Sequence, residues 1–276
     1  MTTPRDVVVV GAGVGGLATA VRMAARGHRV TVLEAAPTVG GKLGEHVDTG
    51  HRFDRGPSLF TMPELMEELD ALVPHDVPGR PAPFAYRTLD RSTHYFWEDE
   101  KEPLVAWTDS ARFAKDVEAR WGVPAKRLTR HLETSRAAFE LTRGVFLERS
   151  LHEGSTYRTS AAWRLLSRVW TLPLLGSLHG HNKRHLKHPK LTQFFNRYAT
   201  YNGSDPHRAP AMMHVIPHLE HGIGTFLPEG GMRSIPLHLE KLGRALGVTY
   251  LTDPPGERTR RAEGGIAGAG GARGRV

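Results

Sequence analysis

The chain of 276 residues contains no cysteine. That excludes disulfides, thiolate catalysis, cysteine-held metal and a flavin attached through cysteine. It agrees with a reducing, cytoplasmic setting. No uncharged apolar run is long enough to span a bilayer. The best, 169–182, is broken by Pro173, two glycines and polar residues. The first six residues include Asp6 and no apolar core of a signal peptide, so the valines that follow read as part of the fold. Acids are missing from Arg158 to Lys190, where seven Lys or Arg and four His fall. The net charge is +8, yet no zinc-finger, homeodomain or RNA-binding signature accompanies it. Nucleic acid is therefore not expected as a partner. With 39% apolar and 24% charged residues, most of the chain is expected to be globular, as one large or two smaller domains.

What is present begins with four consecutive valines, Val7 to Val10, which read as a buried parallel strand with no polar face. The loop Gly11-Ala12-Gly13-Val14-Gly15-Gly16 follows. Gly11 permits the tight turn, Gly13 lets the backbone approach a pyrophosphate, and Gly16 lets the next helix lie close on the sheet. That helix should run from Val14 to Arg26 with Leu17, Ala20, Val21 and Ala24 inward, and Gly27 should end it. Its free N-terminal amides suit phosphate. Arg29 to Leu33 is a second strand, and Glu34 stands at its end. A carboxylate there can accept from both ribose hydroxyls and would repel a 2′-phosphate, which disfavours NADP. Strand, loop, helix and acid in this order specify a dinucleotide site.

Two further segments carry a resemblance. Gly40-Gly41-Lys42 follows Glu34, and then comes Phe53-Asp54-Arg55-Gly56-Pro57-Ser58. In this the chain resembles the FAD-dependent carotenoid desaturases, the phytoene desaturase family that includes hydroxycarotenoid and methoxyneurosporene-type desaturases, within the flavin amine-oxidase-like proteins. The resemblance implies an α/β fold: a Rossmann-like FAD-binding domain of the glutathione-reductase/amine-oxidase type with an inserted α+β substrate domain. It implies FAD as cofactor, held by Gly11, Ala12, Gly13, Gly15, Gly16, Glu34, Ala35, Gly41, Lys42, Gly56, Pro57 and Ser58. The glycine doublet would pass beside pyrophosphate and ribose, and Gly56-Pro57-Ser58 would lie near the isoalloxazine. Two later stretches extend the likeness: Phe195 to Pro206, and Pro228-Glu229-Gly230-Gly231-Met232. Both are expected to frame the floor of a substrate cavity.

The implied reaction introduces a double bond into an apolar polyene, with hydride passing to flavin N5 and electrons passing on to quinone or oxygen. No catalytic residue is legible, and no Ser-His-Asp set or paired carboxylate is required. Two alternatives stand: another flavin oxidase of the same fold, acting on an amine or a porphyrinogen, or an inactive truncated fragment. Arginines among Trp and Leu between Ala161 and Leu175 suit a helix lying in lipid headgroups. Peripheral contact through 158–190, on the inner face of a membrane, is the expectation. His179, His181, His185 and His188 lie without a carboxylate, so no metal is expected.

The organisation follows. Residues 1–75 and 216–252 should form the FAD-binding domain and 76–215 the substrate domain. Thr61-Met62-Pro63-Glu64 reads as a capping box. Phe84–Leu89, His94–Glu98 and Leu104–Trp107 read as a meander. Ser110 should cap a helix ending before Gly122. A long helix should run from Ala125 to Arg149, another from Pro189, and a third from Gly231 to Leu246. Val248–Leu251 should rejoin the nucleotide-binding sheet. Residues 253–276, with seven Gly and five Arg, read as a low-complexity tail, disordered or out of frame.

Overall fold

The computed structural model describes residues 3–252 and, by backbone alone, 256–262, 265–271 and 274–275. The chain divides into two compact units, Met1–Arg87 with Phe226–Val276, and Thr88–Thr225. Both boundaries lie later than the sequence suggests. Phe84 and Tyr86 explain the shift, because they pack within the first unit on Phe60 and Phe226.

The first unit opens with β1 (Asp6–Val10), α1 (Val14–Ala25) and β2 (Arg29–Glu34). β1 and β2 pair in parallel, with Val7 opposite Val30 and Val10 opposite Leu33. α1 buries Leu17, Ala20 and Val21, and Gly27 at φ +85° ends its last turn. β1 departs from the expectation of a buried strand. Val7 and Val9 pack on the core, whereas Val8 and Val10 are exposed, Val10 by 65%. The reason is its place: β1 is the first strand in the order β1-β2-β9, where the third member is a late strand. β3 (Glu45–Asp48) and β4 (His51–Asp54) form a hairpin around Thr49 and Gly50, both at positive φ. No side chain of β4 is buried, so no alternation announced it.

α2 (Glu64–Ala71) starts without the expected capping box: its N-cap is Pro63, with no side-chain bond. Met62 at φ 56° turns the chain just before it. β5 (Tyr86–Leu89) follows.

In the second unit β6 (Arg91–Tyr95) and β7 (Leu104–Trp107) pair antiparallel. β5 does not join them, so there is no three-stranded meander; its partner is a later strand. Five helices follow: α3 (Ser110–Trp121), α4 (Ala125–Phe146), α5 (Ser160–Arg168), α6 (Leu178–Leu186) and α7 (Pro189–Asn196). Asp109, not Ser110, caps α3. Its carboxylate accepts from Ala111 and Arg112 amides at 2.9 Å each, while Ser110 Oγ donates to the His221 carbonyl at 2.8 Å. Aspartate one residue earlier reaches the same free amides with a full charge. The core gathers Phe113, Leu128, Leu186, Leu191, Phe194, Phe195 and Tyr198.

Two polar clusters sit in this unit, one around buried Glu220 and one of histidines, of which His131 and His214 are buried and His185 is exposed. Glu220 is fully buried and accepts from Arg197 at 2.6 Å, Tyr201 at 2.7 Å and Tyr198 at 3.2 Å. Burial first, then that carboxylate, push both tyrosines well above their ordinary range. The second cluster is made of histidines. His181 lies 4.3 Å from His185, 4.6 Å from His214 and 5.8 Å from His131, ring to ring. Neither nitrogen of buried His131 has a partner.

The chain returns to the first unit as β8 (Thr225–Pro228), α8 (Ser234–Ala245) and β9 (Thr249–Thr252). β8 pairs with β5. β9 does rejoin the nucleotide-binding sheet, parallel to β2 with Thr31 opposite Thr249. α1 and α8 cover one core with Val32, Leu239 and Leu242 between them. By backbone, β10 (Gly256–Ala262), β11 (Gly265–Gly271) and β12 (Gly274–Arg275) form an antiparallel set. The expectation for 253–276 otherwise lies outside the described residues.

The histidines fix a pH dependence. Burial holds His131 well below its ordinary value, His214 and His221 at about 4, and His181 at about 3. The unfolded chain binds these protons first, so stability is full above pH ~6.5 and is lost as pH falls, at about 1.4 kcal/mol per pH unit for each such group. The urea midpoint is expected to drop between pH 7.5 and 5, and less in His131→Phe. A midpoint flat over that range contradicts this account.

Candidate nucleotide site

The site is built by backbone lying on backbone. Gly11 sits at φ +94°, which turns the chain sharply out of β1. Its amide donates to the Leu33 carbonyl at 2.7 Å, tying loop to β2. A Cβ at Gly16 would overlap the Gly11 carbonyl oxygen. Only glycine lets α1 start this close to the loop. By contrast no protein atom lies within 4 Å of a Cβ built on Gly11, Gly13 or Gly15. The space before the loop is open.

The glycine doublet docks on that loop. Gly40 donates to the Ala12 carbonyl at 2.7 Å, and a Cβ on Gly41 would lie 3.2 Å from Gly13 Cα. Gly56 closes the same assembly, since a Cβ there would overlap the Lys42 carbonyl oxygen. Three motifs spread over 46 residues thus share one place. Arg233, just before α8, donates to the Val39 carbonyl and, at 3.4 Å, to that of Leu43. It braces the doublet from behind.

Glu34 has a double role. One carboxylate oxygen accepts from the Ala12 amide at 2.6 Å and the other from Ala36 at 2.8 Å. Each oxygen keeps a lone pair for a ribose hydroxyl. α1 has Gly13 as its N-cap, so no side chain caps it, and its first turn holds no acid. Its first amides are therefore left without a side-chain acceptor and would be available to a phosphate.

A cavity of about 520 Å³ opens beside this assembly, lined by Gly13, Gly40, Lys42, Pro57, Met62 and Met232 among others. Of the expected site residues, Gly13, Lys42 and Pro57 line it. Gly11, Ala12, Gly16 and Gly41 form the loop behind. Ala35 and Ser58 are exposed and do not line it. Sequence reasoning missed Thr61, Met62, Leu65 and Met66, because it read them as a helix start. It also expected Pro228–Met232 in a substrate cavity. Gly231 turns the chain at φ +80°, and Met232 and Ile235 enter the same wall as Gly13. Tyr198 to Pro206 lies in the other unit, where Tyr198 is core. Among the described residues, no group of three His, Asp or Glu is placed to hold a metal.

The arrangement fits an adenine dinucleotide: open space over the glycines, free amides and an acid at the ribose position. The family of flavin containing amine oxidoreductases matches residues 14–269. This chain belongs to that family. Its members' flavin suits the residues found here, and FAD is the cofactor they fit. A 1-hydroxycarotenoid 3,4-desaturase from Flavobacterium sp. is 39% identical over 246 residues, covering 89% of this chain and 49% of that protein. A carotenoid 3,4-desaturase from Haloarcula japonica is 30% identical, covering 94% and 51%. The chain thus spans about half the length of the curated relatives it matches. Among solved structures, an oxidoreductase from Methanosarcina mazei aligns with a TM-score of 0.62 at 19% identity, over 99% of this chain and 56% of its own. A cyclohexylamine oxidase from Brevibacterium oxydans aligns at 0.57 and 13%, over 99% and 56%. These two likenesses show the shared family fold.

Gly16→Ala is expected to lower stability by about 2 kcal/mol or more through overlap with Gly11, and to weaken FAD binding at least tenfold. Gly15→Ala, with nothing near its Cβ, should leave thermal unfolding unchanged or raise it slightly. Equal melting temperatures for the two variants would refute the close-approach account.

Proposed function

We propose that the protein serves the FAD-dependent desaturation of a carotenoid, with a hydroxycarotenoid as the preferred substrate class. The observation that carries the reading is the 39% identity to a 1-hydroxycarotenoid 3,4-desaturase across 89% of the chain. A phytoene desaturase from Phycomyces blakesleeanus, 27% identical over 92% of the chain, lies in the same direction. When bound, the flavin would accept the hydride removed from the polyene. The chain's own part is to hold and orient. The uncapped amides at the start of α1 would hold the pyrophosphate, and Glu34 would accept from the ribose. Met62, Leu65, Met66, Met232 and Ile235 give the cavity an apolar wall. Quinone or oxygen would take the electrons onward.

The same reading places the protein in the cytoplasm, at the inner surface of a membrane. Supporting it, α5 buries none of its residues, and Trp163, Leu166, Trp170 and Leu174 are exposed, as is Leu175 at 91%. Arg158, Arg164 and Arg168 accompany them. Aromatic and aliphatic side chains among arginines suit an anionic headgroup layer. No helix among the described residues is long and apolar enough to cross a membrane.

Reconstituted with FAD and supplied with a 1-hydroxycarotenoid in vesicles, the protein is expected to yield a product with one more double bond. Preferential turnover of an amine, or a colourless protein after reconstitution, would sink the proposal. Trp163→Ala with Trp170→Ala should reduce co-sedimentation with anionic vesicles several-fold at an unchanged melting temperature. Undiminished sedimentation would remove this segment as the contact.

A further inference from the structure

A second cavity of about 520 Å³ lies wholly within the unit Thr88–Thr225. Nothing in the proposed desaturation uses it. Its lining includes His179, Lys183, Lys187, His188, Asn196 and His207. No carboxylate lines it. His179, Lys183 and Lys187 follow one another at four-residue spacing along α6 and its end, so they share a face. His188 comes from the cap of α7, and His207 from the loop beyond.

The hydrogen bonds leave this wall rich in donors. Asn182 donates to Asn196 Oδ1 at 3.0 Å, which makes the Asn196 amide nitrogen the donor to His179 Nδ1, at 2.9 Å. His179 Nδ1 is then an acceptor, and its proton belongs on Nε2. His188 Nδ1 accepts from the Leu191 amide at 3.3 Å, so its proton also belongs on Nε2. Internal bonds consume the acceptor nitrogens of both rings and leave the N–H groups. Stacking fixes them: His179 lies 4.1 Å from His207, and His188 lies 4.7 Å from Trp121.

The neighbouring charges are already arranged. Glu100 is held by Lys190 at 2.6 Å and by Arg120 at 2.6 Å, and Asp99 by Lys190 at 2.7 Å. Lys183 and Lys187 make no ion pair among the described residues. The α6 dipole favours cations in its last turn. It does not explain why His188 and His207, from other elements, converge on the same space. Lys187 adds strain: it holds a left-handed backbone at φ 54°, where glycine would sit more easily.

We propose that this cavity binds an oxyanion of the phosphate class, held by the Lys183 and Lys187 ammonium groups and by Nε2–H donors of His179 and His188. Point charges and single N–H donors suit a phosphate, as the lysine of a phosphate loop does. The ligand is either a soluble phosphate ester or the phosphate of a lipid headgroup.

The test uses the full chain. Glycerol 3-phosphate is titrated while the His179 and His188 ring proton signals are followed by NMR. In parallel, vesicles of phosphatidylglycerol and of phosphatidylcholine are tested by sedimentation. Lys183→Met and Lys187→Gly are the variants. Lys187→Gly removes the ammonium and relieves the backbone, so it should melt no lower than the parent. Saturable shifts with glycerol 3-phosphate, weakened at least about fivefold in each variant, establish a soluble-ester site. Binding confined to phosphatidylglycerol vesicles, and weakened likewise in both variants, establishes a headgroup site. No saturable response to either probe overturns the proposal. So does binding that both variants leave unchanged.

Discussion

Close backbone contact at three glycines is the constraint on which the nucleotide site depends. Gly16 against the Gly11 carbonyl and Gly56 against the Lys42 carbonyl leave no room for a side chain, and Gly41 against Gly13 leaves little. These contacts draw a loop, a doublet and a later turn into one wall. With its first amides uncapped, α1 points them at the open space that remains. Glu34 completes the assembly by holding the Ala12 amide while keeping lone pairs for a ribose. Dispersion and hydrogen bonding only stabilise what the missing side chains permit.

The second unit rests on a different balance. Its aromatic core surrounds a carboxylate, Glu220, which is tolerable only because Arg197, Tyr198 and Tyr201 all donate to it. The nearby histidines meet no charged partner: His214 and His221 reach only the Ala211 and Trp107 carbonyls, at 3.2 Å each, and His131 has no partner at all. They stay neutral at physiological pH and make the unit sensitive to acid. The same unit exposes Trp and Leu along α5 beside arginines, so its inside and its outside are both unusually polar-apolar mixtures.

Much of the site was legible. Gly11 to Gly16 and Glu34 stand at the spacing that a strand, turn and helix impose, so their roles could be assigned before any fold was known. Gly40-Gly41 and Gly56-Pro57 could be recognised only by resemblance, because the contacts that need them lie far apart in the chain. Thr61 and Met62 were misread, since a left-handed turn at Met62 has no local signature in that sequence. Pro228–Met232 was noticed, but that Met232 shares a wall with Gly13 was not legible. The pairing of β5 with β8, rather than with β6, was beyond reach because it joins segments about 140 residues apart.

The sequence by itself determined the local turns, the βαβ order and the dinucleotide chemistry, because those depend on φ, helix dipole and side-chain size within a few residues. It also marked the basic, tryptophan-bearing stretch. Only the tertiary structure decided which glycines meet, which valines of β1 reach the core and where Met232 lies. It alone placed Glu220 among its three donors and gathered His179, Lys183, Lys187, His188 and His207 around one cavity. Such placements are set by packing between distant segments, and a residue's local preferences carry no record of which distant neighbour it will meet.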